Sequence, residues 1–92
     1  VDISVDPAKR AETLRQRGLN FADAGTVSAG RTVTVQDTRR DYGEDRWITA
    51  GFLAGRRVVL VWTPRGGARR IISMRRAHAD EEASWFGEMD RS

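Results

Sequence analysis

Two stretches of the 92-residue chain carry side chains that can do chemistry: Asp41-Tyr42-Gly43-Glu44-Asp45-Arg46-Trp47, and Arg69-Arg70-Ile71-Ile72-Ser73-Met74-Arg75-Arg76-Ala77. In the first, Glu44 and Arg46 stand two residues apart and point the same way in an extended chain. Such a pair is either an exposed ion pair of little energetic weight, or a general base held beside a group that stabilises charge in a transition state. Tyr42, in the same polar loop, offers a ring on which a nucleobase can stack. The second stretch reads as a strand, with Ile71, Ser73 and Arg75 on one side and Arg70, Ile72, Met74 and Arg76 on the other. A row that pairs apolar and cationic residues on a strand is unusual for a purely structural element. Equally, Arg75 and Arg76 can lie past the strand end with their stems along apolar surface. His78 is read as a surface residue, or as an acid for a leaving oxygen.

The charge distribution sharpens this reading. The formal net charge is +3, but residues 46–78 hold eight arginines and no acid. Residues 1–45 are close to neutral, and residues 79–92 carry five acids against one arginine. A basic block without acids is an electrostatic footprint for a polyanion. All but one of the 16 basic residues are arginine, whose planar fork matches phosphate geometry. The exception, Lys9, is either a helix-surface lysine or a phosphate contact.

The elements that must position these groups follow from hydrophobic period and punctuation. A short strand is expected over Asp2 to Val5. Asp6-Pro7 then opens a helix to about Arg17, because Asp is a good N-cap and Pro suits the first helical position. Gly18 ends it. Asn20 reads as the cap of a short helix to about Gly25, followed by a loop to Gly30. Arg31–Gln36, Arg46–Leu53, Arg56–Thr63 and Ala68–Met74 read as strands, with turns at Ala54-Gly55 and Pro64 to Gly67. The run Val58-Val-Leu-Val-Trp62 has the character of a central strand buried on both faces. Trp47 and Trp62 are expected in the core, while Trp85 can face a partner. A last, acidic helix is expected over Asp80 to Met89. The order β-α-α-β-β-β-β-α gives an α+β domain over residues 1–92, with N-terminal helices and a C-terminal helix packed on a mainly antiparallel sheet.

Several functional classes fall away. There is no cysteine, so disulfides and thiolate zinc sites are excluded. The lone histidine and the scattered carboxylates show no metal-ligand spacing, and no glycine-rich phosphate loop lies between a strand and a helix. No cofactor is expected. No apolar run is long enough to span a bilayer, and the first ten residues lack the apolar stretch of a secretion signal, so a cytoplasmic protein is expected.

Read in order, these pieces resemble the BrnT toxin family, whose members share the RelE-like ribonuclease fold. The matching pieces are Asp6-Pro-Ala-Lys9, Gly18-Leu-Asn-Phe21 with Ala24, Tyr42-Gly-Glu44-Asp-Arg46-Trp47, Gly51, and Arg70-Ile-Ile-Ser73-Met-Arg75-Arg-Ala77. They cover about residues 5–86. The chain departs from the family pattern at Val5, at Thr13 and at Arg17, where relatives commonly carry an aromatic residue, Asn and His respectively. Arg17 can hold a phosphate but is a poor acid or base.

The resemblance implies a metal-independent endoribonuclease toxin, neutralised by a small cognate antitoxin of the ribbon-helix-helix type. The pair would touch operator DNA only through the antitoxin. The expected catalytic residues are Glu44 as base, Arg46, Arg70 and Arg75 around the phosphate, and Ser73 orienting a phosphate oxygen. Lys9, Arg17, Tyr42 and Arg76 are the expected RNA contacts. Alanine at Arg70 or Arg75 is expected to abolish toxicity and spare the fold. The competing expectation is a non-catalytic basic module that uses the same face to hold nucleic acid or an acidic protein.

Overall fold

The computed structural model describes residues 2–39, 41, 43–81, 84 and 86. Strand β1 (Ile3–Ser4) leads into helix α1 (Pro7–Arg17). The Asp6 carboxylate accepts from the Ala8 and Lys9 amides at 2.8 and 3.4 Å, satisfying two of the donors a helix start leaves open. At the other end Gly18 adopts φ 68°, and its amide donates to the Leu14 carbonyl at 2.9 Å. Asn20 then caps a 3-10 turn (Phe21–Asp23) through its side-chain oxygen.

Helix α2 (Ala24–Ala29) occupies most of what the sequence suggests is loop. Its middle residues, Gly25 to Ser28, are weak helix formers, and packing supplies what propensity does not. Ala24 and Val27, three apart, are both fully buried in the main core. The helix lies close on the sheet: a Cβ on Gly51 would sit 2.7 Å from Val27 Cγ1.

Strands β2 (Val33–Gln36), β3 (Trp47–Leu53), β4 (Arg56–Arg65) and β5 (Ala68–Arg76) form an antiparallel meander, and β1 adds to β5 in parallel. The strand order is β1-β5-β4-β3-β2. The two tight hairpins turn on Ala54-Gly55 and Gly66-Gly67, four residues with positive φ, as two-residue turns between right-twisted strands require. Pro64 and Arg65 continue β4 instead of forming the turn, so this hairpin is longer than the sequence suggests.

One irregularity decides which side chains share a face. Between β4 and β5 the register shifts: Val61 pairs with Ser73 but Trp62 pairs with Ile71, so Ile72 has no partner. Such a bulge inverts the alternation beyond it. Ile71 and Met74 therefore enter the same core cluster, and Ser73 and Arg75 share a face with Arg70. This corrects the simple alternation, which puts Arg70 and Arg75 on opposite sides.

The main core lies between the sheet and the N-terminal helices: Leu19, Phe21 and Val27 pack on Val58, Leu60, Trp62, Ile71 and Met74. On the opposite face Phe86 is fully buried against Ala50 and meets Phe52 edge-on, with ring centroids 5.4 Å apart. Of the expected final helix, Ala79–Glu81 is described as helical (α3), and most of the remainder lies outside the described residues.

Candidate functional site

Strand β1 pairs only with Arg69 and Arg70, so the edge of β5 beyond them is left without a strand partner. Helix α1 runs beside that edge, and three depressions follow one another between them. The near cleft, about 230 Å³, is lined by Asp6, Lys9, Glu44, Arg46, Thr63, Arg65, Arg70, Ile71 and Ile72. The middle one, about 200 Å³, lies among Lys9, Glu12, Thr13, Gln16, Arg17, Ile72 and Ser73. The far cleft, about 400 Å³, is lined by Arg17, Leu19, Arg75, Arg76, Ala77 and His78. Lys9 and Ile72 belong to the first two, and Arg17 to the last two, so the three form one groove along α1 and β5.

The near cleft brings four cationic side chains, Lys9, Arg46, Arg65 and Arg70, together with two carboxylates. Asp6 is committed to capping α1. Glu44 makes a loose contact with Arg65 at 3.8 Å and keeps a third of its side-chain surface exposed. The loop that carries Glu44 is tied at both ends. The Asp37 amide donates to the Arg46 carbonyl at 2.8 Å, and Thr63 Oγ1 donates to the Asp45 carbonyl at 2.7 Å. Arg70 is steadied by the Ser4 hydroxyl, to which Nη1 donates at 2.8 Å. The geometry can hold a phosphate among cations with a carboxylate at its side.

The far cleft is built differently. Arg17 Nη1 donates to the Met74 carbonyl on the open edge of β5 at 3.0 Å. Arg75 meets Glu81 through both terminal nitrogens at 2.6 Å, and the pair is largely buried. Glu81 also accepts from the His78 amide at 2.8 Å, and His78 Nδ1 lies 3.6 Å from the same carboxylate. The Arg75 hydrogen bonds, aided by the His78 amide, outweigh burial and hold the Glu81 carboxyl down at about 2.

The residues expected from the sequence thus fall into groups. Lys9, Glu44, Arg46 and Arg70 meet in the near cleft, Ser73 lines the middle, and Arg17, Arg75 and Arg76 line the far cleft. Arg70 and Arg75 lie roughly 16 Å apart along the strand at about 3.3 Å per residue. They do not close on one phosphate. Tyr42 lies outside the described residues.

Sequence reasoning missed Arg65 and Thr63, because Pro64 suggested a turn there. It also missed Glu81, which sat in an acidic run that reads as solvated surface. Arg69 points away from the groove onto the helical face, with its guanidinium 4.2 Å from the Trp62 ring. Among the described residues no group of three or more His, Cys, Asp or Glu could hold a metal ion. No helix among them is long and apolar enough to cross a membrane.

A small α+β domain with a cationic groove along one sheet edge has the form and charge that suit a polyanion. The family model described as ribonuclease toxin, BrnT, of type II toxin-antitoxin system matches residues 6–81, and the chain belongs to that family. None of the curated proteins matches the chain.

Proposed function

We propose that the protein cleaves single-stranded RNA at the near cleft by transesterification, without a metal ion. Glu44 takes the proton of a ribose 2′-hydroxyl, and the 2′-oxygen forms a bond to the adjacent phosphorus. The bond from phosphorus to the 5′-oxygen breaks, and that oxygen leaves with a proton taken from water, so the upstream product ends in a 2′,3′-cyclic phosphate. Arg70, Arg46 and Lys9 offset the charge that grows on the phosphoryl oxygens. The observation that carries this reading is the meeting of Glu44 with Lys9, Arg46 and Arg70 in one cleft. Ser73, Arg17, Arg75 and Arg76 hold the strand on either side of the scissile nucleotide, and Tyr42 stacks on a base.

The test is cleavage of a defined oligoribonucleotide by purified protein in excess chelator. A cyclic-phosphate product is expected, with no cleavage where a 2′-deoxy nucleotide stands at the scissile position. Glu44→Gln lowers kcat by about 100-fold or more, the usual contribution of a general base. Binding without cleavage by the wild-type chain would instead establish the non-catalytic basic module.

In this reading the protein acts in the cytoplasm. Its antitoxin is a small protein of the ribbon-helix-helix type, through which the pair reaches operator DNA.

A further inference from the structure

The far cleft has a feature that the chemistry at Glu44 does not use. A guanidinium carries five N–H donors arranged on its edges. In Arg75, one from each terminal nitrogen goes to Glu81, and a second from Nη1 reaches the Arg76 carbonyl at 3.4 Å. That leaves Nε–H and the second Nη2–H, which lie side by side on one edge. No described residue accepts from them. The same edge geometry binds phosphate in the bidentate manner that only arginine offers.

Glu81 is not a removable stand-in for phosphate. Its side chain is 13% exposed, and it is fixed to the His78 amide as well as to Arg75. It fixes the guanidinium orientation without using up the guanidinium. Arg75 keeps 23% of its side chain exposed, and it lines the far cleft beside Arg17, Arg76 and His78.

The geometry points to Glu81 as a positioning residue that turns the second edge of Arg75 into the far cleft, making that cleft a subsite for an RNA phosphate flanking the scissile one. This rests on the cleavage reading above and adds to it a site two or three nucleotides from the chemistry. That spacing follows from the roughly 16 Å of strand between Arg70 and Arg75.

The test uses the full chain and short oligoribonucleotides in which one backbone phosphate at a time is replaced by an uncharged methylphosphonate. With wild-type protein, neutralising one flanking phosphate two or three nucleotides from the cut raises KM about tenfold, the loss of one charge-assisted contact, with kcat within about twofold. Arg75→Lys keeps a cation for Glu81 but has no second edge. It shows the same rise in KM with the natural substrate and no further rise with the neutralised one. Glu81→Gln does likewise, and Arg75→Lys supplies the answer if that variant does not fold.

Three outcomes overturn the subsite: a wild-type KM in Arg75→Lys, no flanking position sensitive to neutralisation, or a fall in kcat at unchanged KM. The last would place Arg75 at the scissile phosphate. Failure of the wild-type chain to cleave at all would overturn the Glu44 reading instead.

Discussion

Arg70 and Arg75 are equivalent in a bare sequence, and their partners make them different. Arg70 rests on a neutral hydroxyl, that of Ser4. Arg75 is half of a largely buried ion pair. Arg70→Ala should therefore cut cleavage by about 100-fold and leave the melting temperature within a degree or two, since only a neutral contact is lost. Arg75→Ala strands the Glu81 carboxylate and costs about 2 kcal/mol of stability, so the expectation that the fold is spared holds for Arg70 alone. Thermal melts of the two variants separate the cases. The pair also sets an acid limit. The Glu81 carboxyl titrates near 2 in the fold, against an ordinary value of 4.5. Its contribution is complete above about pH 4.5 and disappears as the pH falls toward 2. Glu81→Gln should flatten the acid-unfolding curve in that window, as followed by circular dichroism.

Among the elements, close approach and turn geometry give the firmest expectations. Gly51 has no room for a side chain, with Val27 Cγ1 at 2.7 Å and Thr32 Cγ2 at 3.2 Å from the position of an added Cβ. Gly51→Ala should destabilise by about 1–3 kcal/mol, and combining it with Val27→Ala, itself costly in the core, should cost less than the sum of the two because the clashing methyl is gone. Ala54 sits at φ 50°, a region that costs an ordinary residue energy. Ala54→Asn should stabilise the hairpin by about 0.5–1 kcal/mol, since Asn-Gly is the preferred pair for that turn. Denaturant titration measures both.

The elements also mark where local reading works. The caps of α1 and the meander strands follow from residue chemistry that acts over three or four positions. The faces of β5 do not, because the single unpaired Ile72 reverses everything after it and no residue type announces a bulge. The second helix was expected to stop near Gly25, and its continuation to Ala29 was not legible because contact with β3, far away in sequence, stabilises it.

In the molecule as a whole, the basic block of residues 46–78 is folded so that part of it lines a groove and part is used elsewhere. Arg69 lies over Trp62 and Arg57 approaches the Phe52 and Phe86 rings, cations spent on packing that a charge count assigns to the ligand. The salt dependence of RNA binding should therefore be modest. Three phosphates held along the groove predict a slope of about −2 in log K against log salt, where all eight arginines would give more than twice that. The meeting of Glu44 with Arg70 was legible only through family resemblance, since the two segments lie more than twenty residues apart. Glu81 was illegible because its role depends on the strand exit bringing His78 and Arg75 against it.

Helix α1 buries none of its eleven residues. One side of the groove is thus a rod held by few ties: Arg10 Nε donates to the Asn20 side-chain oxygen and Arg17 Nη1 to the Met74 carbonyl, each at 3.0 Å. Its amides should exchange with deuterium sooner than those of the central strand β4. A bound oligonucleotide, spanning from Lys9 to Arg17, would act as a splint and slow that exchange selectively.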